Sequence, residues 1–147
     1  QSVLQSYWFP QLGCYSVTGQ PDPAYNCIAW SVGSSGLWIW GEVDAAYGNN
    51  DGVVDVSDFD AFFGWGGYTE SLHCLPEGGK EKIALFGRPL AGGGFEPTHA
   101  ARLAGETVGD GNYWESKEGA YKRIHHRLAD LEGGEYGQVI KCYERLL

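Results

Sequence analysis

The chain has 147 residues, 43% of them hydrophobic and 14% aromatic, and a formal net charge of −9. That is the length of one ordinary domain with enough apolar material for a core, which excludes wholesale disorder. The acidic balance without any basic block argues against nucleic acid as a partner, and no apolar run approaches the ~20 residues of a membrane span.

A single domain over residues 1–147 is expected, with an irregular lead-in over 1–25 and a core over 26–147. The lead-in carries Pro10, Gly13, Gly19, Pro21 and Pro23, with Tyr7, Trp8 and Phe9 as apolar anchors. There is no methionine, position 1 included, and the chain opens on Gln1. The expectation is a secreted protein cut from a precursor. Cysteines in an oxidising compartment tend to pair.

Asn26 is a good helix N-cap, and a short helix from Cys27 to about Val32 is predicted, ended by Gly33. Trp38 and Trp40 alternate with Leu37 and Ile39, so one pair can face outward. "YGNNDGVVDVSDFDAF" resembles a calcium loop of the EF-hand or dockerin kind. Asn49, Asp51, Gly52, Val54, Asp55 and Asp58 match its spacing, but Tyr47 stands where the first acid belongs. The other reading is a turn leading into a helix. That helix, "SDFDAFFGWGGY", is capped by Ser57 or Asp58, has Phe59, Phe62 and Phe63 on one face and stops at Gly66 and Gly67. No metal and no cofactor enter the expected site, and the calcium question stays open.

"KIALFG" reads as a short strand and "RPLAGGGFEP" as a loop. "HAARLAG" and "GNYWESK" read as two strands joined by a polar hairpin. "EGAYKRIHHRLADLEGG" and "EYGQVIKCYERLL" read as helices, the first with Tyr121, Ile124, Leu128 and Leu131 on one face. In that helix His126 falls nearer solvent than His125. Helices, then strands, then helices make an α+β order.

Cys27 carries the functional question. A cysteine at a helix start meets N–H groups and the positive end of the dipole, which favour thiolate and can hold an oxyanion. Asn26 can add a side-chain amide donor. A nucleophile needs a base, and His99, which opens a strand after a proline-containing loop, is the best of the four histidines. The base needs an orienting acceptor, and the next strand offers Glu115 and Ser116, between which register decides.

"NCIAW", "EKIALFG", "THAARL", "YWESKEG" and "EYGQVI" together resemble an uncharacterised domain family of bacteria and fungi. That family's W-x-S-K-x-G pattern is matched by Trp114, Ser116, Lys117 and Gly119, which implies Ser116 rather than Glu115 as the third residue. The order helix-Cys, strand-His, strand-polar is also similar to the papain-like superfamily, cell-wall cysteine amidases included. This second resemblance implies a papain-like core, a small antiparallel sheet packed with helices, acting on an amide bond.

The expected function is therefore a secreted cysteine hydrolase or transferase at an amide or peptide bond, with a protein or cell-wall peptide as substrate. Cys27 is the nucleophile, His99 the base, Ser116 the orienter and Asn26 an oxyanion donor. The alternatives are a secreted module that binds carbohydrate or protein through its aromatics, and a structural or assembly protein. A Cys14–Cys142 bridge is expected because domain termini often lie close together. That leaves Cys74 as a thiol and Cys27 to react. A Cys27–Cys74 bridge is the competing pairing.

Overall fold

The computed structural model describes residues 16–104, 114–117, 119, 123–128, 132–133 and 136–147. The chain opens with β1 (Ser16–Gly19) and helix α1 (Cys27–Ser31), followed by a π-helical turn (Val43–Tyr47) and helix α2 (Val56–Trp65). Then come β2 (Thr69–Glu70), β3 (Lys80–Pro89), β4 (Phe95–Leu103), β5 (Trp114–Lys117), β6 (Arg123–His126) and β7 (Gln138–Leu146). The strands form one antiparallel sheet in the order β1-β6-β5-β4-β3-β7-β2.

Both helices start where short-range chemistry places them. The Asn26 side chain accepts from the Ala29 amide and caps α1. Asp55 caps α2, two residues before the earlier of the two expected caps, Ser57, in a reciprocal capping box with Asp58. Phe59, Phe62 and Phe63 form the buried face of α2, and the Phe63 ring lies 4.7 Å from that of Tyr143 on β7.

These helices cover one face of the sheet, where Cys27, Ile28, Phe59 and Phe63 pack on Ile83, Leu85, Ala100 and Tyr143. Alternate residues of the same strands form a second cluster, with Ala84, Phe86, Ala101, Trp114, Ile124 and Cys142. A sheet buried on both faces loses the apolar–polar alternation that marks a strand in sequence.

That loss explains the main correction. The architecture is a seven-stranded antiparallel sheet with few helices, which overturns the expected α+β, papain-like core with a small sheet. Two segments expected as helices contribute strands. In β6, Ile124 and His126 are buried at alternate positions, a period of two rather than the helical spacing assumed. Strand β7 is inserted between β3 and β2, with Cys142 in one core cluster and Tyr143 in the other. β1 makes part of the lead-in regular by pairing with β6, while residues 1–15 lie outside the described residues.

The bridge is also corrected. It joins Cys74 to Cys142, with Cα atoms 5.6 Å apart. It therefore uses neither Cys27 nor Cys14, and Cys14 lies outside the described residues. Cys74 belongs to the connection between β2 and β3 and Cys142 to the middle of β7, so the bridge clips that connection to the sheet.

Candidate active site

Both members of the sequence-predicted pair line one cavity, with no hydrogen bond between them. It measures about 330 Å³, and its walls include Asn26, Cys27, Trp40, Thr98, His99 and Tyr136. Cys27 reaches it from the first turn of α1 and His99 from β4.

Asn26 fixes the front wall. Its Oδ1 accepts from the amides of Ala29 (3.1 Å) and Ile39 (3.2 Å), and its Nδ2 donates to the Ile39 carbonyl (2.6 Å). The cap thus also straps the Trp38–Trp40 segment beside Cys27. One Nδ2 proton goes to Ile39, and the amide has a second donor proton.

Of the W-x-S-K-x-G residues, Gly119 lines the cavity and Lys117 holds it in place. Lys117 is fully buried, and its Nζ donates to the carbonyls of Asp22 (2.6 Å), Tyr25 (3.1 Å) and Gly119 (2.6 Å). One ammonium therefore joins the approach to α1 to the end of β5. Gly119 has φ +57 and lines the cavity, and positive φ is where glycine costs least.

His99 is the most unusual group. It is 1% exposed, lies opposite Phe86 on β3 and stacks on Tyr136 with ring centroids 4.0 Å apart. Thr98 Oγ1 donates to the Tyr136 carbonyl and holds that ring in place. Among the described residues, neither ring nitrogen of His99 has a hydrogen-bond partner. Buried polar atoms are rarely left so, and such a group calls for an explanation. Burial first, and the neighbouring His126 second, hold its pKa well below the ordinary 6.5. The imidazole is therefore neutral at neutral pH.

Ser116 contacts a different histidine from the one expected. Its Oγ lies 2.6 Å from His126 Nε2, and His126 Nδ1 lies 2.9 Å from the Arg127 carbonyl. A carbonyl only accepts, so Nδ1 carries the proton and Nε2 accepts from Ser116. Glu115 alternates to the other side of β5 and pairs with Arg123 at 3.4 Å. Neither residue orients His99 directly. His126, expected near solvent on a helix, is buried on β6. The alternation of Arg123, Ile124, His125 and His126 opposite "WESK" was the available signal for it.

His99 links the site to stability. In the unfolded chain it titrates near 6.5, and in the folded protein lower. Its contribution is complete above that value and is lost as pH falls from about 6.5 toward the folded pKa, at up to about 1.4 kcal/mol per pH unit. A His99→Phe variant is therefore expected to show a flatter stability profile between about pH 6.5 and 5, measured by urea unfolding at each pH.

A second cluster lies at the acidic turn. Carboxylate oxygens of Asp44, Asp51 and Asp58 lie within 4.8 Å of one another. Oxygen donors of this kind suit a hard cation. Asp44 was not in the sequence motif, and it comes from the π-helical turn before the loop. Backbone amides already engage the two buried carboxylates. Asp44 accepts from Asp51 (3.1 Å) and Gly52 (2.9 Å), and Asp58 accepts from Asn49 (3.2 Å) and Asp55 (3.1 Å). A Cβ on Gly48 would collide with the Asp58 carboxylate, so glycine makes that fit possible. The expected turn into a helix is present, closed by these bonds. Asp44→Ala is expected to destabilise the protein by roughly 1–3 kcal/mol in chelator-treated buffer, as two amides lose a charged acceptor. Thermal or urea unfolding checks this.

No curated protein and no solved structure matches the chain. A model of a domain of unknown function, DUF7689, matches residues 16–144, and the chain belongs to that family.

Proposed function

We propose that the protein is a cysteine-dependent hydrolase or transferase acting at an amide or peptide bond, in a secreted setting. The observation that carries this reading is His99, a buried neutral imidazole with two unsatisfied nitrogens, on the same cavity as Cys27 at a helix start. The Cys74–Cys142 bridge supports an oxidising compartment.

In this reading Cys27 Sγ attacks the acyl carbon as His99 takes the thiol proton. First-turn amides of α1 and the remaining Nδ2 proton of Asn26 face the developing oxyanion. The C–N bond then breaks, and His99 passes its proton to the leaving nitrogen. Water attacks the resulting thioester, gives its proton to His99 and releases the acid, and Cys27 leaves as the thiol again. An amine in place of water makes the same cycle a transfer. The low pKa of His99 matters here, because the imidazolium exists only while the oxyanion is present to balance it.

An activated acyl ester tests the proposal. A burst of alcohol release and an acyl mass on the peptide containing Cys27 are expected, both absent in Cys27→Ser. Equal acylation in that variant overturns it. One observation favours a binding module instead: Trp38, on the same cavity, is 50% exposed. Carbohydrate binding undiminished in Cys27→Ser, with no acyl adduct in the wild type, supports that reading.

A further inference from the structure

The Cys27–His99 cavity continues into two others. A cavity of about 320 Å³ shares Trp40, Thr98 and Tyr136 with it and adds Arg88, Glu96 and Pro97. A third, of about 630 Å³, shares Trp40, Glu96 and Pro97 with the second and ends among Val53, Val54, Leu90 and Phe95. Each alone has the volume of a small-ligand pocket. Their common walls make one groove, with Trp40 bordering all three.

The groove follows the first half of β4. Strand β3 pairs with β4 from Phe95 to Arg102, whereas β5 pairs with it only at Arg102 and Leu103. Among the described residues, no strand covers Phe95–Ala101 on the side away from β3; Pro97 and His99–Ala101 are buried there, so the accessible positions of this edge are Phe95, Glu96 and Thr98. Pro97, which lacks an N–H, sits at the bulge where Phe86 and Gly87 lose register with β4. A strand edge offers amides and carbonyls at a fixed spacing that an extended peptide matches and a sugar chain does not. The half-exposed Arg88–Glu96 pair, 3.7 Å apart, presents both signs of charge. Val53 and Leu90 expose apolar surface at the far end.

We infer that this groove binds an extended peptide along the β4 edge, with an apolar side chain held between Val53 and Leu90 and one carbonyl delivered to Cys27. The inference deepens the proposed function and, for the delivery of the carbonyl, rests on it.

Two measurements separate the claims. First, calorimetry on Cys27→Ser with a Leu-containing peptide amide of about five residues reads the groove without any chemistry. Saturable binding is expected, lost in Cys27→Ser/Leu90→Glu. Second, peptidyl vinyl sulfones and N-chloroacetyl peptides of one and about five residues are compared with iodoacetamide for labelling of Cys27. In one series the longer probe is expected to react at least about tenfold faster, since remote contacts assist the reacting end. Leu90→Glu is expected to remove that gain and leave iodoacetamide labelling unchanged. Absence of peptide binding, or binding of a chito-oligosaccharide in its place, overturns the groove inference. Peptide binding without any labelling of Cys27 leaves the groove standing and overturns the nucleophile.

Discussion

Replacing His99 with Ala is expected to slow acylation of Cys27 by about 10²–10⁴-fold, the usual contribution of a positioned general base. The size follows from the surroundings. No carboxylate, amine or second imidazole is among its named walls, so His99 is the base that the cavity offers the thiol proton. His126 cannot substitute, because Ser116 and the Arg127 carbonyl engage both its nitrogens. The variant also leaves a void against Tyr136 and Phe86, so His99→Gln is the companion, retaining much of the volume without a comparable base. Stopped-flow with an activated ester, alongside near-ultraviolet circular dichroism, separates lost chemistry from lost packing. An acylation rate within about threefold of wild type in a folded His99→Gln would remove His99 from the mechanism.

Removing the Cys74–Cys142 bridge is expected to cost about 4 kcal/mol in urea unfolding, the chain-entropy value for a closed loop of this size. Alanine is the replacement of choice, since Cys142 is buried. The bridge does not hold its segment alone. Fully buried Lys82 bonds Glu77 Oε1 at 2.7 Å, Lys80 bonds Glu144 at 2.8 Å, and Ser71 donates to the same Glu144. Lys80 and Ser71 draw the pKa of Glu144 down to about 2. These contacts keep the connection in place in the native state, so the expected loss arises mainly from a less constrained unfolded chain. Scanning both forms under reducing and non-reducing conditions checks it. A loss below about 1 kcal/mol would mean that the unfolded chain is already compact around this loop.

What the sequence disclosed divides along a physical line. Features set by neighbours in the chain were legible: Asn26 as a cap, Gly33 after α1, the phenylalanine face of α2, and the antiparallel pairing of the His99 strand with "WESK". Features set by sheet order were not. β7 reads as a helix in sequence because its interior position buries both faces and erases alternation. In β6 basic and apolar residues at helical spacing outweigh a four-residue strand signal. Those two strands also decide the site. Once β6 lies beside β5, Ser116 faces His126, and once β7 lies beside β3, Cys142 comes to Cys74 rather than to the N-terminal segment. Asp44 lies outside the motif for a related reason, since a calcium-loop spacing places its first acid at position 47 and not one turn earlier.

The pH dependence of Cys27 acylation in the wild type and in His99→Gln tests the central claim most directly. A base that acts as the neutral imidazole gives an acid limb at its own pKa, which burial and His126 place below 6.5. The account predicts a wild-type rate that falls only below that value, and a His99→Gln profile from which this limb is gone. The same acid limb in both proteins would contradict it.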